Sequence, residues 1–297
     1  MNATEKRRKR LRRALGVVVL LVGVYLLIAY VVAPALWRHY EHYPPMQAAP
    51  KTTLTGTGSP GDPLNVALAG EREELIQAMI AAGWFPADPE TFKSGLKIAA
   101  AVLAGRPYPE APVSKLFLFG RKEDMAFEQA AGKSPRHRHH VRFWKSKELS
   151  LDGRPVWLGA ATYDRSVGFS HHTGQITHHI APDIDAERDR IVADLRDADQ
   201  LVQVFQVTGV GPTLDGRNGG GDWYYTDGEM TVGVIASGNV PPREAPDMLA
   251  NPAAVQFKNN LWEVLKSFLP SNPTDEPSAA TKPASTAPRT RPAAGTP

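Results

Sequence analysis

The stretch Gln175–Thr208, QITHHIAPDIDAERDRIVADLRDADQLVQVFQVT, changes its hydrophobic period twice within 34 residues. Gln175–Ile180 reads as a short strand. From Asp183 to Ala198 the apolar positions fall at helical spacing, with Ile191, Val192 and Leu195 on one side. Leu201–Thr208 returns to a strand of alternating apolar residues. Asp185 suits a helix N-cap, and Glu187 and Asp189 favour a helix N-terminus electrostatically. Working outward, strands are expected at Leu64–Ala69, Lys115–Phe119, His140–Trp144, Val156–Tyr163, Trp223–Thr226 and Met230–Ala236, the last two joined by a turn at Asp227-Gly228. Helices are expected at Glu71–Ala82, stopped by Gly83, at Thr91–Ala104, and in a closing amphipathic segment carrying Phe257, Leu261, Leu265 and Phe268. Strands so unevenly spaced, with helices only at intervals, imply an α+β domain with a mixed sheet rather than a doubly wound fold.

Upstream lies a different kind of segment. Ala14–Trp37, ALGVVVLLVGVYLLIAYVVAPALW, holds 24 residues without a charge. As a helix it would run about 36 Å, enough to cross a hydrocarbon core of about 30 Å. Lys6–Arg13 (KRRKRLRR) precedes it, so the positive-inside rule places residues 1–13 in the cytoplasm and the main domain outside, at the inner membrane. The rival reading is a cleaved signal peptide with Ala33-Pro34-Ala35 as the cleavage site. Its apolar core would exceed the ~7–15 residues usual there, which favours an uncleaved anchor. Residues 38–63 read as a Pro/Gly/Thr-rich linker, 64–269 as the domain, and 270–297 as a disordered Pro/Ala/Thr-rich tail without large apolar side chains.

The 297 residues carry 34 basic and 31 acidic groups, a net charge of +3. Residues 1–13 alone contribute seven Lys/Arg against one Glu, so the basic balance belongs to the membrane flank and gives no support to nucleic-acid binding. The absence of cysteine excludes disulfides, thiolate zinc sites and cysteine nucleophiles.

Seven of the nine histidines fall between His137 and His179. Alternation along a strand puts His140, Arg142 and Trp144 on one side and Val141 and Phe143 on the other, and likewise opposes His178 to His179. Two strand histidines with a carboxylate from the next helix, drawn from His140, His178, His179, Asp185 and Glu187, would suit Zn²⁺ with an open position and hence water activation. No H-E-x-x-H or other standard metal motif accompanies them. Lys133–Lys147 (KSPRHRHHVRFWKSK) holds six Lys/Arg and no acid, a patch that would attract an anionic bilayer or polyanionic glycan. The loop Asp215–Asp222 (DGRNGGGD) lacks the strand-to-helix context of a phosphate-binding loop. Asp215, Asn218 and Asp222 could offer oxygens to Ca²⁺, but not in EF-hand order. Asp164 and Glu187 would make a glycosidase pair only if the fold placed them suitably.

The blocks AAGWFPAD (Ala81–Asp88), RPYPEAPVSKLFLFGRKEDMAFEQ (Arg106–Gln129), RHHVRFW (Arg138–Trp144), WLGAATYDRSVGF (Trp157–Phe169), ITHHIAPDIDAERD (Ile176–Asp189) and NGGGDWYYTDG (Asn218–Gly228) resemble, in order, the LssY C-terminal-domain family. The resemblance implies membrane or envelope association, and in some relatives this domain is joined to a membrane-embedded lipid phosphatase. This chain lacks the P-S-G-H block of such phosphatases, so their activity is not carried over. The resemblance also marks Arg121, Asp124 and the two histidine-bearing blocks as family hallmarks. The expectation is therefore a membrane-anchored accessory or ligand-binding domain in lipid or secretion-related envelope processes. Arg121, Asp124, His140, Arg142, Trp144 and Asp222 are its candidate ligand-binding residues, and an anionic lipid, a glycan or a membrane protein its partner. The alternative is a zinc hydrolase. A third possibility is docking on a membrane partner through Phe257–Phe268.

Overall fold

The computed structural model describes residues 3–33, 35, 49–87, 115–131, 137–150, 152–169, 176–208, 214–238 and 245–272. The helix expected at Thr91–Ala104, His171 and His172, and the tail from residue 273 lie outside them. Helix α1 (Ala3–Leu27) runs through the basic flank and continues as a π-turn at Ile28–Val32. Within Arg7–Val32 an 18-residue window reaches a mean hydropathy of 2.8 with none of it buried, which makes this a candidate membrane span.

The domain is α+β, as expected. Strands β1 (Thr52–Thr55), β2 (Pro60–Pro63), β3 (Val66–Ala69), β4 (Phe85–Pro86), β5 (Leu116–Leu118), β6 (Arg121–Lys122), β7 (Met125–Ala130), β8 (Arg138–Leu149), β9 (Pro155–Phe169), β10 (Ile176–Ile180), β11 (Leu201–Thr208), β12 (Asp215–Arg217), β13 (Trp223–Tyr225), β14 (Glu229–Ile235) and β15 (Asp247–Met248) accompany helices α2 (Arg72–Ala81), α3 (Ile184–Asp197) and α4 (Ala253–Lys266). The large sheet runs β15-β11-β14-β3-β9-β8-β7-β4, with β10 also on β9. Its β14–β3 and β11–β15 pairs are parallel and the rest antiparallel, so the sheet is mixed.

Both faces of this sheet are covered. On one, α2 and α3 bring Leu75, Ile76, Met79, Ile191 and Leu195 against Val66, Leu68, Val141, Phe143 and Ala161. On the other, a small sheet of order β2-β1-β5-β6 brings Leu116 and Leu118 over Trp144, Leu158 and Ala160. This corrects the expected linker: residues 52–63 already form two strands of the domain. A Thr-rich tetrapeptide and a Pro-Gly-Asp-Pro run carry no apolar alternation; pairing of β2 with β1, and the long-range pairing of β1 with β5, make them sheet. Two local expectations also change. Asp183, not Asp185, caps α3, its side chain accepting from Ala186 N at 3.2 Å. Strand β13 pairs with β12 instead of extending the large sheet.

Gly159 sits where β3, β9 and β8 are pressed together; a Cβ there would lie 2.7 Å from the Phe143 ring and 2.7 Å from Val66. Gly159→Ala is expected to cost about 1–3 kcal/mol through overpacking. Denaturant unfolding of the full chain in detergent, followed by tryptophan fluorescence, reads this as a lowered midpoint; an unchanged midpoint contradicts the packing.

Candidate functional site

Strand β8 builds the site because it alternates between two buried layers. His139, Val141 and Phe143 face the helices; Arg138, His140, Arg142 and Trp144 face the small sheet, and all seven are buried. Antiparallel pairing sets Arg138 opposite Asp164 and His140 between Glu128 on β7 and Thr162 on β9. Arg138 spends its whole guanidinium here: Nε donates to Asp164 at 3.3 Å, Nη1 to Glu128 at 3.1 Å and Nη2 to His178 Nε2 at 3.2 Å. His140 places Nδ1 3.3 Å from Asp164 Oδ1 and Nε2 2.8 Å from the Thr162 hydroxyl. The Nδ1–Oδ1 approach is an ion-pair contact, and neither atom has a hydrogen-bond partner among the described residues.

His178 joins this group from β10: Ile180 is opposite Asp164, and His178, two residues before it, shares its side of the strand. The β10–β9 register steps from His179↔Ser166 to Ile180↔Asp164, so Arg165 is an extra residue, a β-bulge, on β9. His179 turns the other way, its Nδ1 2.7 Å from Asp222 Oδ1, while Asp222 Oδ2 accepts from Ile180 N–H at 3.3 Å. Gly168 makes room for that imidazole, since a Cβ there would lie 2.7 Å from His179 Nε2.

The Asn218–Asp222 loop completes the circuit. The Asn218 side-chain oxygen accepts from Gly220 N and Asp222 N, both at 3.0 Å, and its amide donates to Asp62 at 3.3 Å. Asp62 in turn accepts from Arg142 Nη1 at 3.3 Å. Two runs of contacts, His178–Arg138–Asp164–His140 and Arg142–Asp62–Asn218–Asp222–His179, thus lie side by side, with His140 and Arg142 two residues apart on the same side of β8 and His178 and His179 consecutive on β10; together they are called the polar ring. His178 and His179 are its partly exposed members; the others are buried. Inside it, Arg142 Nε and Trp144 Nε1 are buried donors without a hydrogen-bond partner among the described residues.

Burial alone would raise the Asp164 pKa, but His140, His178 and Arg142 outweigh it and hold the carboxyl near 2. Burial raises Glu128, against the pull of Arg138 and His140. Burial lowers His178, reinforced by Arg138, His140 and Arg142 and opposed by Asp164. Arg138 donating to Nε2 agrees with a neutral His178 protonated on Nδ1.

The expected ligand and metal residues are distributed differently. His140, Arg142, His178, His179 and Asp222 belong to the ring, with Trp144 alongside. Arg121 pairs with Asp124 at 2.7 Å and donates to Lys145 O, farther along β8. Glu187 lies on the helix face, both its oxygens 2.8–2.9 Å from His139 Nδ1. It is therefore separated from Asp164 by the sheet itself. Asp185 joins a second buried network, accepting from Thr226 Oγ1 at 2.6 Å and Asp227 N at 2.7 Å beside Arg188. Burial and the Asp227 carboxylate push its pKa up to about 7, against the pull of Arg188. Among the described residues, no group of three His, Asp or Glu side chains is arranged to hold a metal ion. The expected cationic patch is in part interior: Arg138 and Arg142 are buried and paired, while Lys145 and Lys147 are exposed. Arg138 and Glu128 were not anticipated, although Arg138 stands two residues before His140 and so shares its face. Asp62 and Asn218, 156 positions apart, gave no local signal of their contact.

The family model described as LssY C-terminus matches residues 46–230, more than half of the chain and nearly all of the ring's surroundings. The chain belongs to this family. No curated protein and no solved structure matches it. The LssY C-terminus match begins just before β1, in accord with β1 and β2 being part of the domain. Together with the apolar α1 it fits a membrane-anchored domain.

Asp164→Asn is expected to destabilise the protein by about 3–5 kcal/mol, because it leaves Arg138 and His140 buried beside a neutral amide. A depressed carboxylate contributes stability that is complete above its unfolded value near 4 and lost as pH falls through about 2, here about 2 kcal/mol. Melting measured between pH 5 and pH 2 should lose this component in Asp164→Asn; an identical acid slope in both proteins contradicts it.

Proposed function

We propose that this protein is an anchored extracytoplasmic binding domain. The N-terminus lies in the cytoplasm, and an anionic group of a lipid or glycan is accepted at the partly exposed His178 imidazole at the edge of the polar ring. The observation that carries the reading is a buried arginine–carboxylate–imidazole network that orients the partly exposed His178 imidazole from behind through Arg138. Such preorganisation is what a specific polar site requires. The sidedness rests on the basic run before the span.

The two arginines already face Asp164, Glu128 and Asp62, so an incoming anion would draw its charge complement from the His178 imidazole. His178 is held neutral by its surroundings, and binding of an anion would raise its proton affinity. Affinity should therefore increase as pH falls from 8 towards 5.5, with proton uptake on binding. Arg142 Nε and Trp144 Nε1 are further donors on the same side of β8.

Calorimetric titration of inorganic phosphate and of a sulfated oligosaccharide into the full chain, held in zwitterionic nanodiscs, tests this. The expected result is saturable binding to at least one probe, at least tenfold tighter at pH 5.5 than at pH 8. Binding should weaken with salt and be lost in His178→Gln, whose amide oxygen can still accept from Arg138, with a melting temperature that shows the variant folded. Absence of saturable binding at pH 5.5, or binding indifferent to His178, contradicts the proposal. Stoichiometric zinc in the same preparation would instead favour the hydrolase alternative. For sidedness, a cysteine introduced at the exposed Leu149 should react in intact spheroplasts with a membrane-impermeant maleimide. Protection until the cells are lysed would reverse the topology.

A further inference from the structure

Helix α4 is attached to the domain the wrong way round for a globular surface helix. Its domain-facing side is made of Val255, Lys258, Asn259, Trp262 and Lys266, at spacings of three and four residues. Lys258 donates to Asp227 O and forms an ion pair with the fully buried Glu229; Lys266 pairs with Asp183 at 3.0 Å; Trp262 lies against the Tyr225 ring with centroids 6.2 Å apart. Beyond the helix, Tyr225 Oη donates to Pro270 O at 2.7 Å, and the Asn272 side chain bonds both the N–H and the carbonyl of Asp183. The polar side of the helix is thus fixed inward. The outer side carries Phe257, Leu261, Val264, Leu265 and Phe268, which are 72%, 51%, 60%, 51% and 82% exposed. The closing amphipathic helix anticipated from the sequence exists, but its apolar stripe points away from the domain.

We infer that this stripe lies in the interface of the bilayer that α1 spans, so that the domain rests on the membrane through α4. Three observations select lipid over a second copy of the chain. The span ends at Val32 and β1 begins at Thr52, a tether of about 20 residues that holds the domain within about 70 Å of the surface even if fully extended. The stripe covers less than two heptads, short of the three or four a self-associating helical seam needs. Its flanks are Gln256, Asn260, Glu263 and Ser267, with no alternating charges to specify a paired helix. Two phenylalanines, two leucines and a valine on one side of a rigidly held helix are what an interfacial helix inserts among acyl chains.

This inference rests on α1 being embedded, and the test separates the two. The chain has no cysteine, so single cysteines at Val22, Leu261 and Asp197 can each carry an environment-sensitive fluorophore. The full chain is placed in nanodiscs, one copy per disc, of phosphatidylcholine with or without acyl-chain nitroxide lipid. Strong nitroxide quenching is expected at Val22 and, several-fold above the Asp197 background, at Leu261. Quenching at Val22 with none at Leu261 overturns the α4 inference alone; no quenching at Val22 overturns the anchor. Protection of Leu261 from aqueous iodide only in two-copy discs, without nitroxide quenching, would assign the stripe to a second chain. Leu261 is half exposed, so the label displaces no core packing, and matched melting temperatures verify the fold.

Discussion

Arg138 is a buried guanidinium, and its three donating groups hold together strands that are far apart in sequence. Glu128 on β7, Asp164 on β9 and His178 on β10 all converge on it. Sealing a charge this way is costly unless each donor is matched. The register of β8 against both its neighbours, and the bulge at Arg165, are therefore constrained together. A slip of one residue would place Arg138 among the helix-face hydrophobics and Val141 opposite Asp62. The pairing of β8 with β9 and the charge network are two statements of one requirement.

Much of this was legible in the sequence because it is local. The strand–helix–strand reading of Gln175–Thr208 returns as β10, α3 and β11, with Ile191 and Leu195 fully buried. Alternation along β8 was read correctly from His140 to Trp144. What alternation could not reveal is that both faces are covered, so that the polar face is interior too. The bulge at Arg165 was also invisible, and so was the pairing of Ile180 with Asp164 that sets His178 on the same side. Asp62 lies in a stretch that reads as linker, yet it supplies the carboxylate for Arg142. The same limit applies to α4: its period was evident, but Lys258 and Lys266 find Glu229 and Asp183 only in the folded chain, and those pairings turn the apolar stripe outward.

The span, the tether, the inverted helix and the ring describe a domain with two kinds of surface. One is apolar and held rigidly by ion pairs; the other is a polar circuit whose accessible ends are imidazoles. A domain resting on lipid through α4 would present a fixed face to molecules at the membrane surface. Membership of the LssY C-terminus family, whose match spans β1 to the start of β14, covers the ring but ends before α4. Helix α4 and its outward apolar stripe thus lie outside the matched region.

The central claim is that the ring is organised by Arg138 and Asp164 and keeps His178 neutral with Nε2 as an acceptor. Nitrogen-15 NMR of histidine-labelled full-length protein in nanodiscs, titrated from pH 8 to pH 5, reads tautomer and protonation directly. The account expects a His178 resonance of the Nδ1-protonated tautomer that titrates below the ordinary histidine value of about 6.5. It also expects Arg138→Ala to raise that value. A His178 that is Nε2-protonated at pH 8, or that titrates at or above the ordinary value, would contradict it.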